Sequence, residues 1–163
     1  MKKSWHQQTN VKKHIFNGIK FDSGEELEFY HYLLAGSYRK GIQNIKLQPE
    51  FILIPPHVKN GRKVQAMKYR ADFQIDYIDN QGEIITEIID VKGFQTTDFK
   101  LKKKLFEYFF PFELTVIAKF PKKHGGGFGL LSELDHLEKL EAKANGPKQK
   151  GTKKNGKSSA PKM

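Results

Sequence analysis

Apolar positions along the chain follow a helical rhythm in some stretches and a strand rhythm in others. From Ser23, the residues Leu27, Tyr30, Leu33 and Leu34 fall at helical spacing through about Ala35. The Ser23 side chain can cap this helix, and Glu26 sits three residues on, which makes a capping box. Gly36 or Gly41 is placed to end it. A second helix is predicted over residues 98–110, with Phe99, Leu101, Leu105, Phe106 and Phe109 as apolar members and Pro111 as its stop. A third is predicted over residues 130–144.

Between the helices the period shortens to two. Residues 14–21 read as a short strand or turn with alternating apolar positions. Residues 45–54 read as a strand interrupted at Pro49 and stopped by Pro55-Pro56, and residues 57–64 as a basic turn or loop. Residues 68–78 read as one strand, with Tyr69, Ala71, Phe73, Ile75 and Tyr77 on a single face. After a turn at Asp79-Asn80-Gln81-Gly82, residues 83–92 form the next strand, so the two make a hairpin. Gly93 breaks that strand, residues 114–118 form a short buried one, and Gly125-Gly126-Gly127 is a loop. The order helix, three strands, helix, strand, helix predicts a mixed α/β core, a central sheet flanked by helices.

Composition changes the picture at the ends. The chain has 163 residues, enough for one domain with a hydrophobic core. Its formal charge is +11, and seven lysines with no acid lie between Ala142 and Met163. The expected division is a flexible basic arm at 1–13, a folded domain at 14–144 and a disordered Lys-rich tail at 145–163. Such a basic excess fits a polyanion partner, and equally a solvated tail. The absence of cysteine excludes disulfides, Cys-ligated zinc and a Cys nucleophile, and fits a cytoplasmic setting. No apolar run is long enough to span a bilayer, and the N-terminus lacks the apolar segment of a secretory signal.

The chemistry concentrates around Asp72 and Asp90-Val91-Lys92. Strand parity sends Asp90 and Lys92 to one face and Val91 to the other. Asp72 lies opposite the apolar face of its own strand, and the hairpin can bring it beside Asp90. Two adjacent carboxylates repel unless a cation compensates, and hard oxygen donors suit Mg²⁺. The same residues also fit a surface hairpin in which Lys92 is an ion-pair partner. Glu87 has the wrong parity to join them, and Asp76 sits too far along its strand. The triple glycine lacks the lysine of a phosphate loop, and the six histidines show no metal-ligand spacing. The aromatics at 108, 109, 110 and 112 are expected in the core.

Phe21-Asp22-Ser23-Gly24-Glu25-Glu26, Gln48-Pro49, Tyr69-Arg70-Ala71-Asp72-Phe73 and Ile89-Asp90-Val91-Lys92-Gly93 together resemble the PD-(D/E)XK nuclease pattern. The likeness covers about residues 14–120 and is strongest to small phage-encoded members. Its layout is similar to that of transposon end-cleaving nucleases and phage junction resolvases. It implies a restriction-endonuclease-like core and an endonuclease that uses Mg²⁺ or Mn²⁺ on DNA, in a bacterial host cell. By that resemblance Asp72 and Asp90 are metal ligands, with the Val91 peptide oxygen completing the shell and Lys92 as the motif lysine. Asp90 stands where many members carry Glu, and its shorter side chain alters the reach to the metal. Glu26 matches the acidic residue of the first helix, although a carboxylate folded back onto the Ser23 amide is less free to reach a metal. Arg70, Lys100, Lys103 and Lys104 are candidates for phosphate contact, and Gln48 is a weaker candidate to line the site. Symmetric cutting of a junction would favour a homodimer. The alternative is a non-catalytic phage protein of the same fold that binds DNA or a host factor.

Overall fold

The computed structural model describes residues 14–144; the basic arm expected at 1–13 and the Lys-rich tail expected at 145–163 lie outside the described residues. The first strands, β1 (His14–Phe16) and β2 (Ile19–Phe21), pair antiparallel. Asn17 and Gly18 join them with φ of 48° and 78°, the left-handed pair that a tight hairpin turn requires. Helix α1 (Gly24–Leu34) follows, with Ser23 Oγ accepting the Glu26 N–H at 3.1 Å. Its buried apolar side is set by Phe29 and Leu33, with Leu27 and Tyr30 half-buried, while Leu34 turns outward. Phe29 therefore replaces Leu34 in the apolar set expected for this helix.

The predicted strand at 45–54 divides. Strand β3 (Ile42–Leu47) and strand β4 (Glu50–Ile54) are separated by Gln48, whose φ is 48°, and by Pro49, and they join different sheets. Residues 57–64 are a hairpin, β5 (His57–Lys59) with β6 (Arg62–Val64), turning at Asn60-Gly61. The predicted strand at 68–78 also divides, into β7 (Met67–Arg70), paired with β4, and β8 (Phe73–Ile78).

The central sheet has the order β11-β10-β9-β8-β3, where β9 is Ile84–Val91, β10 is Leu114–Lys119 and β11 is Phe128–Leu130. Strands β9 and β10 are parallel, with α2 (Thr97–Phe109) in the crossover between them, and the other neighbours are antiparallel. Helix α3 (Leu131–Ala144) follows β11. The result is a mixed five-stranded sheet with three helices packed against it.

Two core clusters cover the two faces. Phe99 and Phe106 of α2 and Leu131 and Leu134 of α3 pack with Ile88, Leu114, Val116 and Ala118. On the other face Phe29 and Leu33 of α1 pack with Phe73, Ile75, Ile89, Val91 and Ile117. From Glu87 to Val91 strand β9 is buried on both sides because it is the middle strand, and Ile88, Ile89 and Val91 alternate between the clusters. The single apolar face expected over 68–78 is corrected by this division. Tyr69 and Ala71 belong to the α2 cluster, whereas Phe73, Ile75 and Tyr77 belong to the α1 cluster. The crossing occurs at Ala71-Asp72, where the chain leaves β4 and joins β9. The exposed Leu101, Tyr108 and Phe109 depart from the expected core in the same way, although Phe110 and Phe112 do pack against it. Among the described residues no helix is long and apolar enough to cross a membrane.

Candidate active site

The backbone around Asp72 is held on both sides. The Gln48 N–H donates to the Asp72 carbonyl at 2.9 Å, and the Ala71 N–H donates to the Pro49 carbonyl at 3.1 Å. The Asp72 N–H donates to the Ile89 carbonyl at 3.1 Å. These bonds fix the residue immediately before β8, and its carboxylate accepts the Val91 N–H at 2.7 Å. Gln48 thus shapes the site through its main chain.

Asp90 lies one residue back along β9, 1% exposed. One of its oxygens accepts the Tyr69 hydroxyl and the other accepts the Lys92 ammonium. Strand parity places Lys92 beside Asp90, and Val91 packs in the opposite cluster, as the sequence predicts. The Lys92 ammonium also lies 4.7 Å from the centre of the Phe99 ring, a cation–π contact from the first turn of α2. Tyr69 and Phe99 are thus two site residues that the sequence reading placed only in apolar faces. A tyrosine buried on the strand that runs into Asp72 was the available signal, because a buried phenol needs a polar partner.

Electrostatics single out Asp72. Its pKa is pushed up to about 7, first by burial and then by the charge of Asp90, with Glu26 adding to the effect. The Val91 N–H and Lys92 oppose that rise without cancelling it. The Tyr69 hydroxyl is also pushed upward, first by burial and then by Asp90, so it stays a hydrogen-bond donor.

Glu26 is near enough to influence Asp72, but its own oxygens are engaged. One accepts the Ser23 hydroxyl at 2.9 Å and the other the Asp22 N–H at 3.0 Å. The cap is therefore formed through the Asp22 amide, one residue before the one a capping box uses. Arg70 pairs with Asp22 at 2.6 Å in a half-exposed ion pair. Lys103 pairs with Glu107 and donates to the Leu114 carbonyl at 2.6 Å, which ties the end of α2 to the start of β10. Lys100 and Lys104 are exposed, four residues apart on one side of α2. Glu87 faces the α1 side, bonded to Tyr38 and Arg39, and Asp76 accepts from Thr86 and Asn44. Both are outside the site, as their positions along the strands predict.

The donor set suits a small hard cation. Mg²⁺ keeps several waters and takes only one or two carboxylates, and Asp72 with Asp90 supplies two. Burial and the neighbouring Asp90 charge raise the proton affinity of Asp72, and a bound cation would offset both effects. Among the described residues no three His, Asp or Glu side chains gather in a set that could hold a metal by themselves.

The family described as "Protein of unknown function (DUF1064)" matches residues 6–125, which include every residue of this site. The chain belongs to that family. No curated protein and no solved structure matches it. In this DUF1064 chain the match ends within the triple glycine, so it takes in β1 to β10 with α1 and α2.

Proposed function

We propose that the protein is a metal-dependent endonuclease hydrolysing DNA phosphodiesters on a restriction-endonuclease-like core. The observation that carries the reading is the pairing of two carboxylates, Asp72 and the buried Asp90, at adjoining strand ends with Lys92 beside them. Asp72 and Asp90 would hold Mg²⁺ or Mn²⁺, with the Val91 carbonyl as a further oxygen donor. When bound, such an ion supplies Lewis acidity and lowers the pKa of a water. Lys92, one-third exposed beside buried Asp90, can orient that water or neutralise charge growing on the phosphate. Tyr69 and Phe99 act as positioning residues, the first on Asp90 and the second on Lys92. Lys100 and Lys104, exposed and without a carboxylate partner among the described residues, offer cations to flanking phosphates. Arg70 can exchange Asp22 for a phosphate at little cost, because an exposed ion pair is worth about 0–1 kcal/mol. Branched or recombining DNA of a phage in its bacterial host is the proposed substrate, by the resemblance of the motif set.

The test is cleavage of linear duplex, single-stranded and four-way-junction DNA with Mg²⁺, with Mn²⁺ and with EDTA, beside Asp90→Asn. The variant keeps the shape of the buried side chain, and cutting is expected to fall by at least about 100-fold. Equal cutting by the variant would remove Asp90 from the mechanism. A second reading, a non-catalytic DNA-binding protein of this fold, draws on the engagement of both Asp90 oxygens and both Glu26 oxygens within the protein. Binding of DNA in EDTA with no cutting under any metal would establish it instead.

A further inference from the structure

The ribbon that leads into the site continues beyond it. Strands β4 and β7 pair with each other and anchor on α2 through Phe51 and Leu53, while Tyr69 of β7 reaches Asp90. Past Pro55-Pro56 the same two chain directions pair again as β5 and β6, and all six residues of that hairpin are exposed. None belongs to either core cluster. Among the described residues the base of the ribbon is therefore packed and its tip exposed.

The chemistry of the tip is one-sided. Residues 57–64 contain Lys59, Arg62 and Lys63 and no acid. Among the described residues none of the three pairs with a carboxylate. Lys59 stands directly opposite Arg62 in the register, and His57 shares their face by alternation. Like charges directly across two strands destabilise a hairpin, and among the described residues no carboxylate pairs with either to offset that repulsion. An anion would. The Asn60-Gly61 turn, with φ of 51° and 73°, keeps the tip narrow.

We infer that the β5–β6 hairpin is an arm that enters a groove of duplex DNA and contacts backbone phosphates through Lys59 and Arg62 on one face and Lys63, opposite Val58, on the other. A two-stranded ribbon fits the major groove of B-form DNA, which is about 12 Å wide. From Tyr69 to Arg62 the extended chain spans at most about 24 Å, or about seven base pairs, from the carboxylates. The arm thus selects duplex flanking the cut over single strands. This inference rests on the nuclease reading for its substrate.

The test uses the full chain and measures binding to a 30-base-pair duplex (an about three-turn probe) and to one of its strands, in EDTA, over a salt series. Lys59→Gln, Arg62→Gln and Lys63→Gln together are expected to weaken duplex binding by about 10-fold or more. They should also flatten the slope of log affinity against log salt by about two to three, one per lost phosphate contact. Single-strand affinity should change by about twofold or less. A charge-matched control, Lys40→Gln with Lys139→Gln and Lys143→Gln, should leave duplex binding close to the parent. Unchanged duplex binding in the hairpin variant, or equal loss on duplex and single strand, overturns the inference. If the parent cuts no DNA with either metal while the hairpin variant loses duplex binding, the nuclease reading fails and the arm stands. If the parent cuts duplex and the variant cuts and binds it equally well, the arm fails and the nuclease stands.

Discussion

At the scale of single residues, the decisive group is Asp72. A carboxyl that binds its proton more tightly in the folded chain than in the unfolded one favours folding at low pH. Its contribution is full below the ordinary value of 3.8 and is lost as pH rises through about 7. Above that range the folded protein carries a charge it would be more stable without. Asp72→Asn is therefore expected to raise stability at pH 8 by about 1–2 kcal/mol, less than the full shift implies because the site is partly open to solvent. The gain should shrink as pH falls towards 4. Thermal melts across that range would show it, and a variant less stable at pH 8 would mean that the Val91 bond outweighs the repulsion. Mg²⁺ should raise the melting temperature of the parent at pH 8 and leave Asp72→Asn unchanged. Tyr69→Phe probes the neighbouring group. Removing one donor from buried Asp90 should cost about 1–3 kcal/mol, read by denaturant unfolding, and lower cutting with little change in DNA affinity. A loss of affinity equal to the loss of cutting would instead mark a binding role.

At the scale of elements, local hydrogen bonding sets where the helices begin and the hairpins turn. Ser23 supplies an acceptor for the Glu26 N–H and a donor for the Glu26 carboxylate, so it satisfies two partners at one helix end. Ser23→Ala should cost about 1 kcal/mol in unfolding experiments. The same substitution releases one Glu26 oxygen, so Mg²⁺ affinity measured by calorimetry distinguishes two roles. A gain in affinity would draw Glu26 to the metal, whereas no change would leave it a cap. Turns at Asn17-Gly18 and Asn60-Gly61 follow the same local logic, because both put two consecutive residues at positive φ. Gln48 is the exception. It holds a φ of 48° outside any Asn-Gly turn, and it does so where its N–H secures the Asp72 carbonyl.

At the scale of the molecule, the two core clusters share the central strands, so neither face is an independent unit. Strand β9 sends Ile88 to one cluster and Ile89 and Val91 to the other, with Asp90 at its end. Truncating the fully buried Phe29→Ala or Phe106→Ala should each cost about 3–5 kcal/mol. Each should lower one cooperative transition seen alike by far- and near-ultraviolet dichroism. Two separated transitions in either variant would show that the layers unfold separately. The site lies where this architecture joins three segments: the end of β9, the crossing at Ala71-Asp72 and the start of α2.

The sequence by itself determined what depends on a few neighbouring residues. Helical spacing located α1, α2 and α3 to within a residue or so of their ends, and the Ser23 side chain capped α1 as its position implied. Strand parity placed Asp90 and Lys92 on one side and excluded Glu87, because alternation is a property of the strand alone. The turn at residues 79–82 was legible because Asp79 accepts from its own following amides. The Asn17-Gly18 and Asn60-Gly61 pairs carry an equally local turn signal, and the hairpins β1–β2 and β5–β6, where the sequence suggests only a strand or turn and a basic loop, turn on them. Tertiary structure decided the rest. It split residues 45–54 and 68–78 because β4 and β7 found each other while β3 and β8 joined the central sheet, a choice made by partners distant in sequence. It brought Tyr69 to Asp90 across 21 positions of chain, and committed both Glu26 oxygens to the cap. Local pattern sets which way a side chain points; only the packed sheet sets what stands there to meet it.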